Sequence, residues 1–221
     1  MSELLVPRDE PRSRPHPRVI RLGRISWTEA LAIQERARDE VLSGAEDRTY
    51  LLEHDPVVTL GKRGGVVDTE ALARLQTPII QTDRGGLATW HGPGQLVCYP
   101  IIDTLRARCG VRRLVRTLGA IMQGIASDLG LDDLIYDDER PGVYRDGKKL
   151  GSLGLHLSRG VTMHGFALNI CNDLSGFRAI VPCGFTSLEV STIARELHRE
   201  VSMEAAFTAA ERRLPALFET G

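Results

Sequence analysis

An α+β fold with a mixed, mainly antiparallel sheet flanked by helices is predicted by three features of this 221-residue chain. Strand-like segments come in runs rather than alternating singly with helices, which argues against a doubly wound parallel sheet. Two long β-patterned segments, Lys149–Ser158 and Val161–Cys171, are separated only by Arg159-Gly160, a two-residue hairpin signal. Over 111–129, Val111, Leu114, Val115, Leu118, Ile121, Met122, Ile125 and Leu129 recur at three and four, the period of a half-buried helix.

The remaining elements follow in order. Residues 1–17 carry four prolines and no apolar period, and are expected to form a flexible tail. Residues 18–221 are expected to form a single domain, a size that buries enough surface to fold without staples. Val19–Ile25 reads as a first strand. Ser26-Trp27-Thr28-Glu29 is a capping box opening a helix that ends near Gly44. Strands follow at Thr49–Glu53 and Val57–Leu60, closed by the Gly61-Lys62-Arg63-Gly64-Gly65 turn. A short helix over Thr69–Leu75 leads to a strand at Ile79–Thr82. Short strands are expected near Leu134–Tyr136 and Val143–Arg145. Helices over Ser187–Glu200 and Met203–Phe218 close the chain.

Composition excludes several classes of function. The 28 basic and 29 acidic side chains nearly cancel, so nothing global favours nucleic acid or an anionic membrane. The apolar runs are far shorter than a membrane span. Cys98, Cys109, Cys171 and Cys183 contain no CxxC pair, so neither a zinc ribbon nor a redox dithiol is expected, nor any metal or cofactor. Without an apolar leader the thiols are expected to be reduced and the protein cytoplasmic. Only three of the basic residues are lysine: Lys62, Lys148 and Lys149. Codon bias explains such a skew, yet a retained lysine can also mark a need for a proton that arginine cannot release.

Three segments depart from this ordinary background. The first is Arg84-Gly85-Gly86-Leu87-Ala88-Thr89-Trp90-His91-Gly92-Pro93-Gly94-Gln95. Its glycines allow a close approach of backbone to ligand, although composition alone favours a structural hairpin. It matches neither the phosphate loop nor the dinucleotide fingerprint. The second runs from Gly147-Lys148-Lys149-Leu150-Gly151-Ser152-Leu153-Gly154 through His156 to Met163-His164-Gly165-Phe166-Ala167-Leu168-Asn169. Strand alternation places Lys149, Gly151 and Leu153 on one face and Lys148, Leu150, Ser152 and Gly154 on the other. Gly151 and Gly154 within a strand mark a place where a backbone or a ligand lies close. Lys149 reads as a solvated edge charge or as a functional amine. The third is Pro182-Cys183-Gly184, just before the helix expected from Ser187. Cys183 is a small buried residue, or a nucleophile whose thiol is acidified by the helix start.

Taken together, RGG-x-x-T-W-HGPGQL-V-x-YP, K-x-G-S-L-G, HGFALN and PCG, in that order, resemble the lipoyl(octanoyl) transferase family. The resemblance covers about residues 20–200. One departure is Cys98, where a small residue such as glycine is expected. The resemblance implies a fold like that of biotin and lipoate protein ligases. It implies transfer of an octanoyl group from octanoyl-acyl carrier protein to one lysine of a lipoyl domain. Acceptors would be the acyltransferase subunits of 2-oxoacid dehydrogenases and the glycine cleavage H protein. It implies a catalytic pair, here Cys183 and Lys149. It also implies substrate-binding residues at Arg84, Gly85, Gly86, Leu87, Ala88, Thr89, Trp90 and His91, at Ser152, Leu153 and Gly154, and at His164, Gly165, Phe166 and Ala167.

The chemistry of these residue types is compatible with that role. A cysteine thiolate attacks a thioester without ATP, and the acyl-enzyme is then open to an amine. A neutral lysine beside it is a base for both steps, and burial favours that form. The amides of Cys183 and Gly184 are expected to hold the oxyanion, with His91 or His164 as auxiliaries. Lys62, Arg63, Arg84, Arg145, Lys148 and Arg159 are candidates for a basic rim facing an acidic carrier, or dispersed solvated charges. Rival readings are an ATP-dependent ligase on the same fold, a Cys–His thioester hydrolase and a non-catalytic lipoyl-domain binder.

Overall fold

The computed structural model describes residues 18–180 and 189–217. The expected N-terminal tail, 1–17, lies outside them. Two sheets organise the chain. The larger has seven strands in the order β1-β2-β6-β10-β9-β8-β7: β1 Arg18–Ile25, β2 Arg48–His54, β6 Gln95–Ile101, β7 Ile135–Asp137, β8 Gly142–Arg145, β9 Lys148–Ser158 and β10 Val161–Asn169. Within it only β1 and β2 run parallel. The smaller sheet joins β4 Ile79–Gln81, β3 Val57–Leu60 and β5 Thr89–His91, with β3 and β4 parallel. The mixed, mainly antiparallel α+β expectation therefore holds.

Period-two side-chain placement splits the large sheet between two cores. From β2 and β6, Leu51, Leu96 and Cys98 face α3 (Val111–Asp128) and α6 (Met203–Arg213). Tyr50, Leu52, Val97, Tyr99 and Ile101 face α1 (Trp27–Leu42) on the opposite side. The capping box of α1 is complete: Ser26 Oγ accepts from Glu29 N–H, and Glu29 accepts from Ser26 N–H. A third, smaller core beneath the second sheet gathers Val58, Leu72 of α2 (Thr69–Arg74), Trp90 and Phe177 of α4 (Ser175–Arg178). The β9–β10 hairpin turns on Arg159 and Gly160, whose φ values of 51° and 89° give the primed geometry that suits strand twist.

Several expectations are corrected. Strand β6, which was not among the expected elements, lies inside the sheet between β2 and β10 and is buried throughout, so it shows no polar alternation to reveal it. β2 and β3 are not a closed pair: they belong to different sheets. The described part of the expected Ser187–Glu200 helix, residues 189–200, is not one continuous helix. Ser187 and Leu188 lie outside the described residues, and the helix that follows, α5, is only Ile193–Glu196, capped by Thr192. Before it, Glu189 to Ser191 lie along β9: Lys149 N–H donates to Glu189 O (2.8 Å) and Ser191 N–H to Lys149 O (3.0 Å). The last helix ends at Arg213 and tightens into a 3₁₀ turn over Leu214–Leu217.

Candidate active site

Strand alternation is broken at the head of β9. β8 and β9 slip by one residue, with Val143 opposite Gly151 but Tyr144 opposite Lys149, so Leu150 is the extra residue of a bulge. Leu150 joins the α3 core, and a Cβ on Gly151 would meet Met122 Sδ on the same side at 3.0 Å. Lys149 and Gly151 are thus parted, whereas Lys149 and Ser152 share a cavity. The expected separation of the two lysines holds: Lys148 pairs with Glu196 (3.3 Å) and Lys149 turns inward.

The cavity encloses about 610 Å³ and lies over β9 and β10, beside the start of α1. Every substrate-binding residue expected from the sequence lines it except Trp90. Trp90 instead packs edge-to-face on Phe177 (centroids 5.5 Å apart) in the third core. The Arg84–Ala88 segment is pinned to β9 by Gly85 N–H donating to Leu155 O (3.0 Å). A Cβ on Gly154 would come within 2.8 Å of Gly85 O, so the glycine expected to allow a close approach does so. Gly165 meets the same limit, because its Cβ would strike the Cys98 carbonyl oxygen on β6.

Lys149 is a wall of this cavity and is only 5% exposed. Its Nζ lies 5.4 Å from the centroid of the Tyr144 ring. Its stem has room because residue 142 is glycine; a Cβ there would sit 3.0 Å from Lys149 Cε. The Arg140 guanidinium lies 5.0 Å from the same ring and its Nε donates to Asp137 (2.8 Å). Cys183, the expected nucleophile, lies outside the described residues. The described chain resumes at Glu189, on the backbone of Lys149. Ser187, the expected start of the helix that was to acidify the Cys183 thiol, also lies outside the described residues, and the next described helix is capped by Thr192.

Among the described residues two histidines line the cavity, and each is held by a partner. His91 Nδ1 donates to Gln95 Oε1 (2.7 Å), Gln95 Nε2 to Asn169 Oδ1 (2.9 Å), and Asn169 Nδ2 to Ser191 O (3.1 Å). Only the Nδ1–H tautomer satisfies this buried chain. Burial first, then His54, holds the His91 imidazole well below its usual pKa. His164 Nε2–H donates to Asp83 (2.8 Å), while burial lowers its pKa against the pull of that carboxylate. The His164 backbone is left-handed (φ 59°), and its N–H donates to Gln34 Oε1 (2.8 Å). Behind them, His54 Nδ1 donates to Ile25 O (3.1 Å) and its Nε2 accepts from the hydroxyl of Tyr99, another cavity residue (2.7 Å). Burial holds His54 at a pKa of about 4.

The expected basic rim is mostly engaged elsewhere. Arg84 is bound to Thr59 through Nε and Nη2 (3.0 and 2.7 Å), Arg145 and Lys148 face Glu196, and Arg159 faces Asp39. Lys62 Nζ lies 3.3 Å from His156 Nδ1. The sequence reading missed Asp83, Tyr99, Asp137 and Arg140. Asp83 stands next to Arg84 and could have been noticed, whereas its contact with His164 spans 81 positions and has no local signal. Burial pushes the Cys98 thiol far up, so it behaves as an apolar core residue. Among the described residues no cluster of metal ligands occurs, and no helix is long and apolar enough to cross a membrane.

The sequence matches the model of the lipoyl protein ligase A/B catalytic domain over residues 26–214. The chain belongs to this family. It is 41% identical to an octanoyltransferase of Geobacter sulfurreducens over 203 residues, covering 90% of this chain and 85% of that one. It is 42% identical to an octanoyltransferase of Mycolicibacterium smegmatis over 194 residues, covering 84% and 82%. Relatives this similar make this lipoyl protein ligase A/B family member an acyltransferase. Its fold is that of lipoate protein ligases. A putative lipoate protein ligase of T. acidophilum with bound lipoic acid superposes with a TM-score of 0.70 at 18% identity, over 92% of this chain and 86% of that one. Lipoate-protein ligase A bound with ATP gives 0.71 at 16%, over 92% and 85%.

Proposed function

We propose that this chain transfers an octanoyl group from octanoyl-acyl carrier protein to a specific lysine of lipoyl domains, through an acyl-thioester on Cys183. Lys149 acts as the base, residues 18–221 work as one catalytic unit, and the enzyme is cytoplasmic. Acceptors are lipoyl-domain subunits of 2-oxoacid dehydrogenases and the glycine cleavage H protein.

The observation that carries the reading is the setting of Lys149. A lysine buried in the wall of the cavity shared by the RGG, GSLG and HGFALN segments is poorly explained as a solvated edge charge. The backbone of the same residue holds Glu189–Ser191, the chain leading out of the Pro-Cys-Gly segment.

In the first step the Cys183 thiolate forms a bond to the thioester carbonyl carbon and the carrier sulfur leaves with the bonding pair. In the second, the acceptor amine attacks the acyl-cysteine and the Cys183 thiolate leaves. The acceptor enters as an ammonium and emerges as an amide, so one proton is released per turnover beyond the one returned to the carrier thiol. Lys149 receives protons only as a neutral amine. Burial works towards that form, while the Tyr144 ring works against it by favouring the cation. The acyl chain lies against Leu153, Phe166 and the glycine-lined side of the cavity. His91 and His164 have their N–H groups engaged and low proton affinity, so they shape the cavity rather than shuttle protons.

The test is octanoylation of a lipoyl domain by the purified protein with octanoyl-acyl carrier protein and no nucleotide. Amide formation is expected. A requirement for ATP, with free octanoate as the donor, would instead assign ligase chemistry; release of octanoate matching amide formation would assign a hydrolase.

A further inference from the structure

Among the described residues the cavity wall carries four cations, and three of them are already committed. Arg84 is held by Thr59, Arg140 by Asp137, and Lys149 is buried beside Tyr144. The fourth, Arg63, is exposed and lines the cavity, and its guanidinium makes no hydrogen bond or ion pair among the described residues. Its backbone, by contrast, is fixed. Arg63 N–H donates to Gly86 O (3.2 Å), Lys62 N–H to Arg84 O (3.0 Å) and Gly64 N–H to Gly61 O (2.8 Å). The turn is therefore laced to the same RGG segment that lines the cavity. An arginine on such a turn is aimed at the cavity mouth with its five donors unspent.

Among the described residues no carboxylate is hydrogen-bonded or ion-paired to it, although Glu139 lines the same cavity. Asp83, the carboxylate just before the RGG segment, is taken by His164 (2.8 Å) and His156 (3.2 Å). Lys62 beside it adds a second exposed positive charge. An exposed guanidinium carried on a fixed turn at the entrance of a site for a thioester suits an anion on the part of the donor that stays outside the cavity. Phosphate oxygens match its fork geometry best.

We propose that Arg63 binds the phosphodiester of the prosthetic arm that presents the acyl thioester. It would thereby set the preference for phosphorylated-arm donors over simple thioesters. This rests on the octanoyltransferase reading above. The contact is made equally in the ground state and the transition state, so it acts on KM for the donor rather than on kcat.

The experiment compares octanoyl-pantetheine 4′-phosphate with octanoyl-pantetheine as donors for wild type and Arg63→Gln, with a lipoyl domain as the acceptor. Wild type is expected to favour the phosphorylated donor by about tenfold in kcat/KM, the size of one charge-assisted hydrogen-bonded contact. Arg63→Gln should reduce that preference to about twofold or less, with acceptor KM unchanged, and Arg63→Lys should restore part of it. An undiminished preference in Arg63→Gln overturns the proposal. So does a variant that weakens octanoyl-acyl carrier protein while leaving the phosphate preference intact, because Arg63 would then be contacting the carrier's own carboxylates. If wild type transfers from none of the thioester donors, the octanoyltransferase reading itself has failed, and Arg63 is not what failed.

Discussion

Lys149 and Tyr144 are direct partners across the β8–β9 ladder, and the lysine nitrogen lies 5.4 Å from the tyrosine ring. The pairing exists because Leu150 bulges out between them and Gly151. A regular ladder would place Lys149 and Gly151 on one face, and the amine would then point at Met122 and the α3 core. One backbone irregularity thus carries the amine into the cavity.

Lys149→Arg keeps the charge and the length but removes the releasable proton. Transfer should fall by at least about 100-fold, the usual contribution of a general base. Circular dichroism and the urea midpoint should stay close to wild type. Near-normal transfer by this variant would remove Lys149 from the chemistry.

Glu196 joins three partners: Ser191 Oγ donates to it (2.6 Å), and Lys148 and Arg145 lie at 3.3 and 3.8 Å. Burial alone would raise its pKa, but these partners outweigh burial and lower it. It thereby clamps Ser191, and with it the strand segment on the Lys149 backbone. Glu196→Gln should cost about 1–2 kcal/mol by urea denaturation. It should also depress transfer more than it changes either substrate's KM. An unchanged unfolding midpoint would show that the clamp is not formed.

His54, His91 and His164 all have native pKa values below the unfolded value, with burial as the largest cause. The unfolded chain therefore binds protons at a pH where the native protein does not, and stability falls as pH drops. For His54 the window runs from the unfolded value of 6.5 down to about 4. This residue alone accounts for about 3 kcal/mol across that interval. Urea denaturation at pH 7 and pH 4.5 should show the loss, and His54→Gln should reduce the slope. Equal stability at the two pH values would contradict the buried neutral imidazoles.

Gly165 sits where β10 passes the Cys98 carbonyl of β6, with Pro100 Cδ also only 2.7 Å from any added Cβ. Backbone atoms cannot swing aside as a side chain would. Gly165→Ala should destabilise by about 2–3 kcal/mol, towards the upper end of overpacking costs. Chemical denaturation checks this; a neutral effect would mean that the two strands part more easily than their pairing implies.

Local signals made part of this molecule legible. Ser26 and Glu29 announce α1, the spacing from Val111 onward announces α3, and Arg159-Gly160 announces the hairpin that forms the cavity floor. The RGG, GSLG and HGFALN segments were recognisable as a group, and the fold brings them to one cavity. What escaped was set by distant partners. β6 is buried on both faces and has no alternation. The slip at Leu150 is imposed by β8. Glu189–Ser191 lie along β9 where a helix was expected, because the Lys149 backbone offers the hydrogen bonds. Trp90 sits in a binding motif, yet its ring is drawn into the core around Phe177.

The proposed mechanism requires a covalent octanoyl group on Cys183. Wild-type protein mixed with octanoyl-acyl carrier protein, without an acceptor, should gain one octanoyl mass by intact-protein mass spectrometry. The group should map to the Cys183 peptide, discharge on adding a lipoyl domain, and be absent from Cys183→Ala. A wild-type enzyme that transfers normally while never carrying that adduct, or a Cys183→Ala variant that still transfers, would contradict the account.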